Sequence, residues 1–154
     1  MLKNEINLDI KGLESISKEL KTNAYVKIGI LGNKNSRAGK NNNASIGLTQ
    51  EFGSASKNIP ERSFLRMPLK EKMPKRLSEI GKEAMLGIAK KNIVLFLKKL
   101  GVLGEEIIQM AFDTGGFGKW ANLTERTIKI KGFDTRLVET TQLRKSITSE
   151  VKKG

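Results

Sequence analysis

The middle of the chain repeats its apolar side chains at helical spacing, while segments nearer its two ends alternate at a period of two. Met73, Leu77, Ile80, Ala84 and Ile88 step by four, three, four and four residues, which defines one face of a helix. Leu100, Leu103, Ile107 and Met110 or Ala111 continue such a face, with Gly101 and Gly104 predicting a break. Pro68 and Pro74 predict a kink or a fresh start near Met73. Near the ends, Ile6, Leu8 and Ile10 alternate with Asn7 and Asp9, the pattern of a half-buried strand. Residues 24–31 are β-branched and largely apolar, which predicts a strand central in a sheet. Ile147, Ser149 and Val151 alternate as a final strand. The expectation is one α+β domain over residues 1–154, a small, mainly antiparallel sheet packed against a long broken helical hairpin.

Shorter elements fill the gaps. Leu13, Ile16 and Leu20 repeat at helical spacing after Gly12. Residues 32–43 form a polar stretch rich in Gly, Asn and Lys, whose low apolar content predicts a mobile loop. Proteolysis there is expected near Lys34, Arg37 or Lys40. Residues 44–52 read as a short helix stopped by Gly53. Residues 113–118 read as a loop, and residues 140–145 as a single helical turn.

Chemistry is narrowed by two absences. The chain has no cysteine and no histidine, so thiolates and imidazoles supply neither metal ligands nor general acid/base groups. Glu105, Glu106 and Asp113 are the best remaining carboxylate cluster, but adjacent glutamates on a helix point about 100° apart and do not converge. A solvated helix face explains them. Gly32 with Gly39-Lys40 invites a phosphate-loop reading, which the spacing refuses: six residues separate the glycines, and Asn41 follows the lysine. Gly115-Gly116-Phe117-Gly118 has no preceding strand to make it a phosphate cradle. The sequence therefore reads as non-enzymatic, with no cofactor and no metal.

Net charge is +13, distributed as +4 over residues 1–60, +7 over residues 61–100 and +2 over residues 101–154. Such an excess suits nucleic acid, an anionic surface or acidic proteins. Stacking aromatics are not interleaved with the lysines of residues 70–99, so a solubilising face competes with a nucleic-acid stripe. Residues 1–12 hold no apolar core of a secretory signal, and the longest apolar run, residues 93–97, is far short of the roughly 20 residues of a membrane helix. A soluble, cytoplasmically made protein without membrane contact is expected.

Two segments place apolar anchors between charges: Glu51-Phe52-Gly53, and Ile59-Pro60-Glu61-Arg62-Ser63-Phe64-Leu65-Arg66. Phe52, Ile59 and Phe64 are expected to tuck under the sheet, with Phe52 and Phe64 pinning the loop. Glu51, Arg62 and Arg66 would form a local ion-pair network, or the arginines would face a neighbouring subunit. Farther on stand Trp120, Leu123, Thr127, Lys131 and Gly132, then residues 137–147, Leu-Val-Glu-Thr-Thr-Gln-Leu-Arg-Lys-Ser-Ile.

These motifs, in this order, resemble the virion-morphogenesis and tail-completion families of Mu-like and lambdoid phages, which include minor tail and neck proteins. The resemblance spans about residues 24–151. It departs from the family pattern at Ser63 for Pro, Glu139 for Asp and Thr141 for Gly. It implies a non-enzymatic virion protein, made in the host cytoplasm. Such proteins form a homo-oligomeric ring, a hexamer by resemblance, at the head-proximal end of the tail. Implied partners are the tail tube protein, head–tail connector or adaptor proteins, and double-stranded DNA in the lumen. Glu51, Phe52, Gly53, Arg62, Phe64, Arg66, Trp120, Gln142, Leu143 and Arg144 are the expected interaction or structural residues. Lys34, Arg37, Lys40, Lys90 and Lys91 are the expected lumen contacts. The alternative is a nucleic-acid-binding accessory protein that uses its basic middle segment.

Overall fold

A computed structural model describes residues 23–36, 42–89, 92–122 and 141–153, with single positions at 125 and 129. The expected first strand and helix, Arg37, Lys40, Lys90, Lys91, and Leu123, Thr127, Lys131, Gly132 and residues 137–140 of the resemblance lie outside the described residues.

Two strands distant in sequence meet first. β1 (Ala24–Ile30) pairs antiparallel with β2 (Ile147–Lys153), Val26 opposite Val151, Ile28 opposite Ser149 and Ile30 opposite Ile147. Period two sorts the ribbon into faces. Tyr25 and Lys27, opposite Lys152 and Glu150, make the polar face, while Val26, Ile28 and Ile147 turn inward. A ribbon of two strands is marginal alone and needs a helix against its apolar face.

That helix is α3 (Ile93–Asp113), which follows α1 (Asn43–Phe52) and α2 (Arg66–Ala89). α2 and α3 form the helical hairpin, and α3 alone lies against both strands. A single turn, α4 (Thr141–Lys145), leads into β2. Asn42 caps α1 by accepting from the Ser45 amide at 2.8 Å, and Asn92 caps α3 by accepting from the Leu95 amide at 3.1 Å. The fold is thus the expected α+β class, with a small antiparallel sheet.

Two expectations within it change. Gly101 and Gly104 do not break α3, which runs unbroken through both. They mark where the helix meets the ribbon most closely. A Cβ on Gly101 would collide with the Ser149 hydroxyl and come within 2.8 Å of Ser149 Cβ and 3.1 Å of Val26 Cγ2. α2 likewise shows no fresh start at Met73. Pro68 falls in its first turn, where a missing N–H is tolerated, and Pro74 sits inside the continuous helix. At the two described ends of the polar stretch after β1, residues 32–36 and 42–43, hydrogen bonds hold the backbone. Gly32–Asn35 is a 3-10 turn, and buried Asn43 ties it to α1 by donating to the carbonyls of Lys34 at 2.8 Å and Ser36 at 3.3 Å. Side-chain amides supply the order that apolar contacts do not.

Two glycine substitutions separate packing from propensity. Gly101→Ala should lose about 1–3 kcal/mol through overpacking against Ser149, although alanine favours helix. Gly81→Ala, on an exposed turn of α2 with nothing within 4 Å of the new methyl, should gain up to about 1 kcal/mol. Urea denaturation of both variants checks the opposite signs.

Candidate functional site

The segment between α1 and α2 is built around one carboxylate. Glu51 stands in the last turn of α1 and is 5% exposed. It accepts from the Ser63 hydroxyl at 2.6 Å and from the amides of Phe64, Leu65 and Arg66 at 2.8, 2.9 and 3.0 Å. The Ser63 hydroxyl in turn accepts from the Met67 amide at 2.9 Å. The amides at the start of a helix have no intrahelical acceptor, and the helix dipole there favours negative charge. Glu51 therefore caps a helix other than its own. Serine at position 63, where the resembled pattern has proline, contributes the hydroxyl that joins carboxylate to helix.

Between these ends the chain makes a tight excursion. Ser54 and Ile59 bond each other's backbones at 2.8 and 2.9 Å, and the Arg62 amide donates to the Gln50 carbonyl at 2.8 Å. Gly53, at φ 72°, makes the turn possible; a Cβ there would stand 2.8 Å from the Ile59 carbonyl oxygen and the Glu61 nitrogen. Arg66 lies 3.7 Å from Glu51 and pairs with Glu61 at 2.6 Å. Arg62 is buried, so it is not displayed to a neighbour.

The expected pair of phenylalanine anchors is corrected to one. Phe64 is fully buried, but Phe52 is 58% exposed, its ring 5.2 Å beneath the Arg66 guanidinium. Adjacent helical positions point about 100° apart, so turning Glu51 inward leaves Phe52 on the outer side.

Phe64 opens an aromatic series. Its ring centroid lies 5.3 Å from that of Phe112, which meets Trp120 edge-on at 5.8 Å. Buried Trp120 donates its indole N–H to the Ser63 carbonyl at 3.1 Å. The Gly115–Gly118 turn exists to bring it there. All four residues have positive φ, and a Cβ on Gly116 would collide with the indole. That turn is a structural bend and holds no phosphate-loop geometry.

Leu143 closes the same core at 0% exposure, beside Phe64, Ile108 and Ile147. Arg144 stays within the chain: it donates to the Gln109 side chain, bonds Asp113 at 2.6 Å, and its carbonyl accepts from Gln109 at 3.3 Å. Asp113 is therefore drawn towards Arg144 rather than into a carboxylate cluster, and no metal-binding group of acidic side chains occurs among the described residues. Gln142 is exposed and reaches the Ser36 carbonyl at 3.5 Å. Lys34 is exposed, its carbonyl held by Asn43.

Two open surfaces flank this junction. Leu48 and Phe52, both exposed, border a cavity of about 340 Å³ that reaches Ile28 through Leu31 of the β1 region. A second, about 320 Å³, lies between α2 and α3 and is lined by Lys72, Lys75, Arg76, Glu79, Ile107, Met110 and Phe117. Sequence periodicity did not flag this one, because its wall comes from three separate segments. Among the described residues no helix is long and apolar enough to cross a membrane. Compared with protein families, curated proteins and solved structures, the chain matches none.

Three variants test the junction by thermal or urea unfolding. Glu51→Ala leaves several buried donors without an acceptor and should cost about 3 kcal/mol or more. Phe64→Ala should cost about 3–5 kcal/mol. Phe52→Ala, despite removing the same ring, should stay within about 1 kcal/mol because that ring is already wet.

Proposed function

We propose that this chain is a structural subunit of a bacteriophage-type tail. In this reading it forms a ring at the head-proximal end of the tail tube and joins the tube to the head–tail connector. One observation carries the proposal. The three segments that bear the resemblance, far apart in sequence, meet at one place: Glu51 caps the helix that Ser63 and Phe64 introduce, Trp120 donates to Ser63, and Leu143 packs with Phe64.

The proposed role is mechanical and non-enzymatic. The junction ties the helical hairpin to the ribbon, giving each subunit a rigid body to present to its neighbours. A ring of identical subunits needs two different surfaces that meet head to tail. The cavity bordered by Leu48 and Phe52 and the exposed Val102 and Leu95 of α3 offer apolar area for such contacts. The alternative, a nucleic-acid-binding accessory protein, draws support from the exposed Lys70, Lys72, Lys75, Lys98 and Lys99.

Sedimentation and electron microscopy of the full chain, alone and with purified tail tubes, separate the two. Closed rings, six-membered by resemblance, or density on one tube end are expected whether or not DNA is present. A chain that stays monomeric, ignores tube ends and binds duplex DNA with a steep fall in affinity as salt rises would overturn the ring reading.

A further inference from the structure

The groove between α2 and α3 has a chemistry that the junction does not use. Lys72, Lys75, Arg76 and Glu79 fall three and four residues apart, so they form one stripe of α2 along its rim. Arg76 is paired with Glu79 at 3.0 Å, which leaves the rim with a positive excess. The floor is apolar. Ile107 is buried, Met110 is 48% exposed, and Phe117 is half-buried under the Lys72 ammonium, 4.5 Å from its ring centroid. Phe117 also has φ 57°, a left-handed conformation uncommon for an aromatic residue. The turn needs left-handed backbone, which glycine supplies freely; it does not need a phenyl ring. The ring packs one side against the core cluster and leaves the other in the groove wall.

We infer that this groove docks an acidic segment of a partner protein that inserts one bulky apolar side chain, leucine, methionine or phenylalanine, between its carboxylates. A flexible methionine adapts to such side chains, and lysines at the rim meet flanking carboxylates. Two other occupants fit less well. A second copy of this chain carries 16 acidic against 29 basic residues, so it brings fewer carboxylates to this rim than an acidic segment would. A nucleic acid offers phosphates to the rim but nothing for Ile107 and Met110, and the face of Phe117 that a base would stack on is already covered by Lys72. The inference deepens the structural-subunit reading by naming the chemistry of one partner. It is tested on the isolated chain, so it stands or falls apart from ring formation.

Random peptides displayed against the full chain at physiological salt, with counter-selection on the Lys72→Glu/Lys75→Glu double variant, provide the probe. Survivors should carry acidic residues flanking one bulky apolar residue. Synthetic representatives should lose about tenfold or more in affinity for the double variant and for Met110→Asp, a truncation-scale effect for an anchoring contact. All three substitutions are at exposed positions, so the variants should melt with the parent. No survivors, survivors without acidic enrichment, or equal affinity for parent and variants would each overturn the inference. So would a duplex DNA that loses affinity for the double variant while the peptides do not.

Discussion

A buried carboxylate without enough donors is a liability, and a helix start without acceptors is another. Here each cancels the other. Glu51 comes out of water at the end of α1, where its own helix dipole does not favour it, and receives one hydroxyl and three amides at the start of α2. Because the donors belong to consecutive residues, the carboxylate fixes the entry angle of a 24-residue helix. Phe64, whose amide is one of those donors, is thereby aimed into the core, and Phe112 and Trp120 follow from its position. Removing the carboxylate would leave α1 and the start of α2 joined by the Arg62–Gln50 backbone bond and by apolar contacts.

Much of this could be read from residue order, and the failures have physical causes. β-branched, apolar composition located β1, period two located β2 and Gly53 located the end of α1, because each signal is local. Phe52 was misplaced because aromatic identity says nothing about which face of a last helical turn is buried; that was decided by Glu51 turning inward. Gly101 and Gly104 suggested a break on propensity, whereas tertiary contact with Ser149, Val26 and Ile28 overrides propensity and makes their missing side chains an asset. The role of Ser63 was invisible, since its two bonds reach α1 and α2 across residues that show no pattern. Trp120 drew notice as a motif residue. Its indole bond to Ser63 spans 57 positions, and no spacing rule reaches so far.

The molecule divides its polar groups by purpose. Those at the junction, Glu51, Ser63 and the Trp120 indole, are buried and fully engaged, which makes the junction stiff. Most cations of the hairpin lie outside, where they stabilise little. Arg76–Glu79 and Lys119–Glu71 are exposed pairs, and the Lys119 ammonium holds the Glu71 carboxyl below its ordinary range.

The role of Glu51 is most directly tested by amide hydrogen exchange at Phe64, Leu65 and Arg66, read residue by residue in the full chain. If the carboxylate holds these three donors in a dry junction, they should exchange only through global unfolding, as slowly as Ile108 and Ala111 in the core of α3. Exchange as fast as that of the exposed turn at residues 55–58 would contradict it, and α2 would then owe its position to its other contacts, apolar packing and the Trp120–Ser63 bond among them.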